Sequence, residues 1–182
     1  MKIINSVFIL VIGETCMNFK IKTMESFLIA GKSIKVTNEG GKNFIDIPAF
    51  WEKCSKDGTS KILGKIAYEN KNGILSGSIA AVLYYNETDT NENWSYLAGA
   101  ETFKEENGLE TIKIPALTWA VFESIGPMPD AIQNVWKWIS SEWFPGSNYE
   151  HAKGPELEIY PTGDTSKSDY YSEVWIPVQK KQ

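Results

Sequence analysis

Histidine is almost missing from this chain. His151 is the only one in 182 residues, so a multi-histidine metal site is excluded, and a Ser-His-Asp or Cys-His centre would have to be built on that single ring. It sits between Glu150 and the Ala152, Lys153, Gly154, Pro155 stretch, where a solvated loop position is the expected reading. Cysteine is scarce too. Cys16 and Cys54 are far apart and form no CxxC or Cys/His spacing, which suits a reducing, cytoplasmic setting and gives no zinc or redox signature. No metal and no cofactor is therefore expected. A basic run is also lacking, and with a formal net charge of -5 the chain does not offer the clustered cations that phosphate binding needs, so no direct nucleic-acid binding is expected.

Long apolar runs are absent as well. The stretch 3–12 is the most apolar at the N-terminus, but ten residues cannot span a bilayer, and no membrane association is expected. That stretch resembles a short secretory h-region without a small-x-small cleavage pattern. Residues 1–16 therefore read as a leader or extension, with Met17 as a natural start and residues 17–182 as one domain. The composition, 42% hydrophobic and 13% aromatic, is enough for one well-filled core.

The expected elements fall into two similar sets. Residues 27–36 read as a strand, 46–54 as a short helix with Pro48 in its first turn, and 73–86 and 94–101 as strands. Residues 110–125 then read as a strand, 129–144 as a helix, and 157–161 and 171–178 as strands. In the second helix Ile132, Val135, Trp136, Ile139 and Trp143 lie on one face, which makes Trp136 and Trp143 structural, while Trp138 lies on the flank. Trp51 in the first helix matches Trp136 in the second, and Ser33 with its neighbours matches Ser124. The order predicts an α+β fold: two βαββ pseudo-repeats, about 22–102 and 110–180, joined into one mainly antiparallel sheet with two helices on one face and a ligand cleft on the other. Both matched indoles should bury against the sheet.

The final strand holds the most telling residue. Alternation sends Val174, Ile176 and Val178 to one face and Glu173 and Trp175 to the other, so a carboxylate stands beside an indole inside an apolar segment. Burying an unpaired carboxylate costs several kcal/mol in order of magnitude, which points to a partner, a solvated rim or a ligand.

Four segments carry a family resemblance: 114–122 (IPALTWAVF), 143–150 (WFPGSNYE), 158–160 (EIY) and 173–178 (EVWIPV). In that order they resemble the GyrI-like small-molecule-binding superfamily, which includes the effector domains of AraC-type and MerR-type multidrug regulators. The resemblance implies a duplicated βαββ fold with a cleft for amphipathic, often cationic compounds. It also implies an acidic residue of the final strand, Glu173 here, as counter-charge. With about 25 residues before the first family strand, too few for a helix-turn-helix, a stand-alone member is expected. On this reading Trp175, Trp119, Tyr96, Trp138 and Tyr160 are the candidate aromatic walls for a guest.

Three functions follow from the resemblance. The first is a binding protein that senses or sequesters small hydrophobic or cationic compounds, or serves transcription regulation. The second is a hydrolase of cyclopropane-bearing or other electrophilic xenobiotics, with Glu173 as general base and Tyr160 or Tyr96 orienting it or the substrate. The third is a gyrase-inhibitor-like module whose partner is a protein such as a topoisomerase or a regulator.

Overall fold

The computed structural model describes residues 6–8, 17–85, 89 and 93–182. The expected leader 1–16 apart from 6–8, Cys16 with it, and the polar loop 86–92 apart from Asp89 lie outside the described residues. In chain order the elements are β1 (Ser6–Phe8), β2 (Phe19–Met24), β3 (Phe27–Thr37), α1 (Asn43–Lys56), α2 (Thr59–Glu69), β4 (Ile79–Tyr84) and β5 (Asn93–Thr102). Then come β6 (Glu110–Ile114), β7 (Leu117–Ile125), α3 (Asp130–Trp138), β8 (Tyr149–His151), β9 (Glu156–Tyr160) and β10 (Tyr171–Lys180). Backbone proximity groups them into a central unit, Ser26–Pro115, and a terminal unit, Met1–Glu25 with Ala116–Gln182.

The fold is α+β, with antiparallel pairing between the strands inside each unit. In the central unit the strand order is β4-β5-β3-β6. In the terminal unit it is β9-β10-β7-β2, with β8 also on β10 and β1 on β2. The two orders match strand for strand. Each unit has a strand, helical segment and two strands, plus a fourth strand beside the first. That fourth strand follows β5 in the central unit, as β6, and comes from the N-terminal side in the terminal unit, as β2. The units therefore do not coincide with consecutive halves of the sequence.

Each unit buries one helical face on its own sheet. In the terminal unit Ile132, Val135, Ile139 and Trp143 pack with Phe19, Ala120, Phe122, Val174, Ile176 and Val178. In the central unit Ile66 and Ala67 of α2 meet Ala100, and the Phe50 and Trp51 rings of α1 meet Tyr96 at 6.3 and 6.4 Å. The Trp51 indole N–H donates to the Tyr96 hydroxyl at 2.9 Å, and the Trp136 N–H to Glu158 Oε1 at 2.8 Å. α1 and α3 are thus each tied to their sheet by an indole. Both indoles are half-buried rather than fully buried, because each keeps its polar edge at the helix-sheet seam.

Several expectations change. The stretch 110–125 is two strands in different units, broken at Pro115, which has no N–H to give a ladder. The stretch 73–86 opens in turns, with Ser76 at φ 51 and Gly77 at φ 82, so only Ile79–Tyr84 is strand. A second central helix, α2, follows Gly58, whose φ of 82 ends α1. Its buried Leu63, Ile66 and Ala67 have helical spacing that was readable in the sequence. The match of Ser33 to Ser124 does not hold: Ser33 is exposed opposite Leu97, whereas Ser124 is buried on the helix side beside Ser172. A one-residue slip reverses every face of a strand.

The terminal helix departs from its expected course as well. After Trp138 it passes through a π turn, Ile139–Trp143, before ending at Phe144–Gly146. Ser140 donates to the Trp136 and Lys137 carbonyls, and Ser141 to the Lys137 carbonyl. These hydroxyls compete with the helical ladder where it widens. The turn brings Trp143 to complete burial, at 0% exposure.

Candidate functional site

Alternation in β10 divides the terminal sheet into a helix-covered face and a helix-free face. On the helix-free face Tyr171, Glu173 and Trp175 follow one another at every second residue. Glu173 is the cross-strand partner of Glu123 on β7 and Ile159 on β9. Trp119 lies opposite Pro177, which brings its ring to 6.0 Å from that of Trp175. Glu173, Trp175 and Trp119 are therefore brought together on one face.

The Glu173 carboxylate is held at both oxygens. Tyr171 donates its hydroxyl to Oε1 at 2.5 Å, and Trp175 donates its indole N–H to Oε2 at 2.6 Å. Both donors are neutral, and among the described residues no lysine forms an ion pair with this carboxylate. Burial, and then the bond to Glu173, pushes the Tyr171 phenol well above its usual range, so Tyr171 stays a donor. Glu123 differs from Glu173. Lys20 pairs with it at 2.9 Å and Asn18 donates at 3.2 Å, and the Lys20 bond holds its carboxyl below the usual carboxylate range.

Trp119 and Trp175 are 0% and 2% exposed, and the Trp119 N–H has no acceptor among the described residues. The other expected aromatics lie elsewhere. Tyr160 and Trp138 pack with the helix-covered face, Trp138 against the Phe122 ring at 6.1 Å. Tyr160 donates to Glu158 Oε2 at 2.7 Å. Tyr96 belongs to the central unit, 1% exposed beneath α1. Four more residues belong to the face, Tyr171, Glu123, Lys20 and Lys22. Tyr171 was readable two residues before Glu173, and the lysines required β2 to be seen as a strand.

A depression of about 500 Å3 opens in the central unit beside Phe27, Ile74, Glu101 and Phe103. Glu101 is 3% exposed there and is turned to the backbone rather than to the depression. Its two oxygens accept the Ile74 and Leu75 backbone N–H groups at 3.0 and 2.7 Å, which fixes the loop before β4. Among the described residues no group of His, Cys, Asp and Glu is placed to hold a metal. No helix of the described residues is long and apolar enough to cross a membrane. Cys54 is a buried free thiol whose pKa burial raises, an inert core position.

His151 is exposed as expected, but it ends strand β8 opposite Val178 rather than lying in a loop, and it has a partner: its Nε2 lies 2.9 Å from Glu156 Oε1. That bond raises its pKa above 6.5. The pair therefore adds stability fully present below that value and lost as pH rises through the higher folded one. An NMR titration should place the His151 midpoint above 6.5, and Glu156→Gln should bring it down. A midpoint unmoved by the substitution would mean that the contact is not formed in solution.

The sequence matches the family model of the GyrI-like small-molecule-binding domain over residues 17–179. The chain belongs to that family. Among solved structures it is similar to SAV2435 bound to tetraphenylphosphonium, at 21% identity over 88% of this chain and 93% of that one, with a TM-score of 0.75. A bacterial protein from Staphylococcus aureus MU50 aligns at 21% identity over 90% and 99% of the two chains, with a TM-score of 0.70. The C-terminal domain of EcmrR aligns at 17% over 91% and 99%, with a TM-score of 0.56. At these identities the structural likeness supports the fold. A comparison with curated proteins gives no match.

Proposed function

We propose that this small-molecule-binding domain takes lipophilic organic cations on the helix-free face of its terminal unit, and so senses or sequesters them. Glu173 is the counter-charge, and Trp175 and Trp119 are the aromatic walls. One observation carries the reading: Glu173 is a half-buried carboxylate fixed by two neutral donors, with no lysine paired to it among the described residues. Such a group keeps its charge available to a guest, and an indole beside it adds cation-π attraction. SAV2435 was solved with tetraphenylphosphonium, a guest of this kind. EcmrR was solved with DNA, so a role in transcription regulation is part of the proposal. The free thiol of Cys54 accords with a cytoplasmic setting.

Calorimetric titration tests the reading with tetraphenylphosphonium and neutral triphenylphosphine oxide, which has an oxygen in place of one phenyl ring, so that the salt dependence isolates the charge. The charged probe should bind roughly ten-fold more tightly, the scale of one unit charge facing a carboxylate at intermediate dielectric. Its advantage should shrink as salt is raised. Equal affinities at low salt would rule out a counter-charge on this face.

A further inference from the structure

The geometry points to Lys22 as an internal competitor for the cation site, a residue whose ammonium occupies the aromatic face that a guest must take. This inference rests on the reading of the Glu173 face as the binding site. The β2 alternation supplies the argument. Phe19 and Ile21 pack against the helix-covered core, so Lys20 and Lys22 project onto the helix-free face, opposite Val121 and Trp119. The two lysines then behave differently. Lys20 closes an ion pair with Glu123 at 2.9 Å. Lys22 makes no ion pair among the described residues, and its Nζ stands over Trp175, 6.0 Å from the ring centroid.

That is the outer reach of a cation-π contact, held by the same indole that fixes Glu173. On neighbouring strands of this face Glu123 and Glu173 stand with Lys20 and Lys22. A guest cation arriving beside Glu173 would put a third positive charge on the face, next to an ammonium over the same ring. Lys22 is half-buried on a flexible four-carbon stem, and with only a through-space attraction to Glu123 and no direct ion pair it can swing out and yield the ring. The cost of moving it is subtracted from the affinity for every guest that takes the ring. A cationic guest meets the repulsion of the ammonium in addition, and a neutral guest does not. Lys22 thus sets selectivity: it penalises cations more than uncharged aromatics.

The test titrates the full chain as wild type, Lys22→Met, Lys22→Gln and Glu173→Gln with tetraphenylphosphonium and triphenylphosphine oxide. Both neutral substitutions at Lys22 should tighten the phosphonium by roughly ten-fold, the Coulomb scale of one like charge removed at this separation. The phosphine oxide should tighten less than the phosphonium in the same variants, since it gains the vacated ring but carries no net charge to be repelled. Two Lys22 variants guard against one that folds poorly, and their melting temperatures should stay near wild type. If both bind the phosphonium no better than wild type while Glu173→Gln weakens it, Lys22 is not a competitor and the site reading survives. If Glu173→Gln leaves the phosphonium affinity unchanged, the site reading fails and the Lys22 inference with it.

Discussion

Trp143→Ala should lower the stability of the domain by about 3–5 kcal/mol, the range for truncating a buried large aromatic. Trp143 is 0% exposed, and four rings surround it: Phe122 at 4.8 Å, Phe144 at 5.0 Å, Phe19 at 5.4 Å and Tyr149, stacked, at 6.0 Å. Its indole N–H has no acceptor among the described residues, so truncation removes packing rather than a hydrogen bond. Four rings anchored on β2, β7, the helical end Phe144–Gly146 and β8 cannot all collapse into one void, which places the cost at the upper part of the range. Trp136→Ala should cost less, because that side chain is half-buried and Glu158 keeps its bond from Tyr160. Urea unfolding separates the two, with a lower midpoint at constant slope expected for Trp143→Ala. A Trp143 variant with an unchanged midpoint would mean that this cluster is not the core of the terminal unit.

Alternation made much of the candidate face legible. Glu173 and Trp175 had to share a side of β10, and Val174, Ile176 and Val178 had to take the other. Tyr171 follows from the same rule and was available two residues earlier. Pairing was not legible. β2 joins β7 across a long stretch of sequence, with Thr23 against Thr118, and nothing local to Phe19–Met24 names that partner. With only Phe19 and Ile21 to define a buried side, β2 gives a short periodic signal, and Lys20 and Lys22 stay hidden as site residues until it is paired. Tyr160 illustrates register: opposite Glu173 stands Ile159, so Tyr160 falls on the helix side. Trp138, beside the apolar stripe, packs at the edge of that stripe because a core-facing helical surface is broader than one row of residues.

Glu173→Gln should weaken tetraphenylphosphonium binding by roughly 10–100-fold, the scale expected when one unit charge is removed a few ångströms from a guest at intermediate dielectric. The substitution isolates charge because the carboxamide fits the same two contacts. Its oxygen can accept the Trp175 N–H now directed to Oε2, and its NH2 can donate to the Tyr171 oxygen, which then accepts instead of donating. The fold should remain stable or gain slightly, since a half-buried carboxylate without a cationic partner has gone. Affinity for triphenylphosphine oxide should stay within about two-fold, because Coulomb attraction contributes little to a neutral guest. Glu123→Gln provides the contrast. Glu123 is already compensated by Lys20 at 2.9 Å, so its loss should change phosphonium affinity far less while weakening the tie between β2 and β7. Equal losses at the two positions would mean that the face attracts cations through its summed charge, and Glu173 would lose its separate role. A loss confined to Glu173 places the counter-charge on the carboxylate that Tyr171 and Trp175 hold in position.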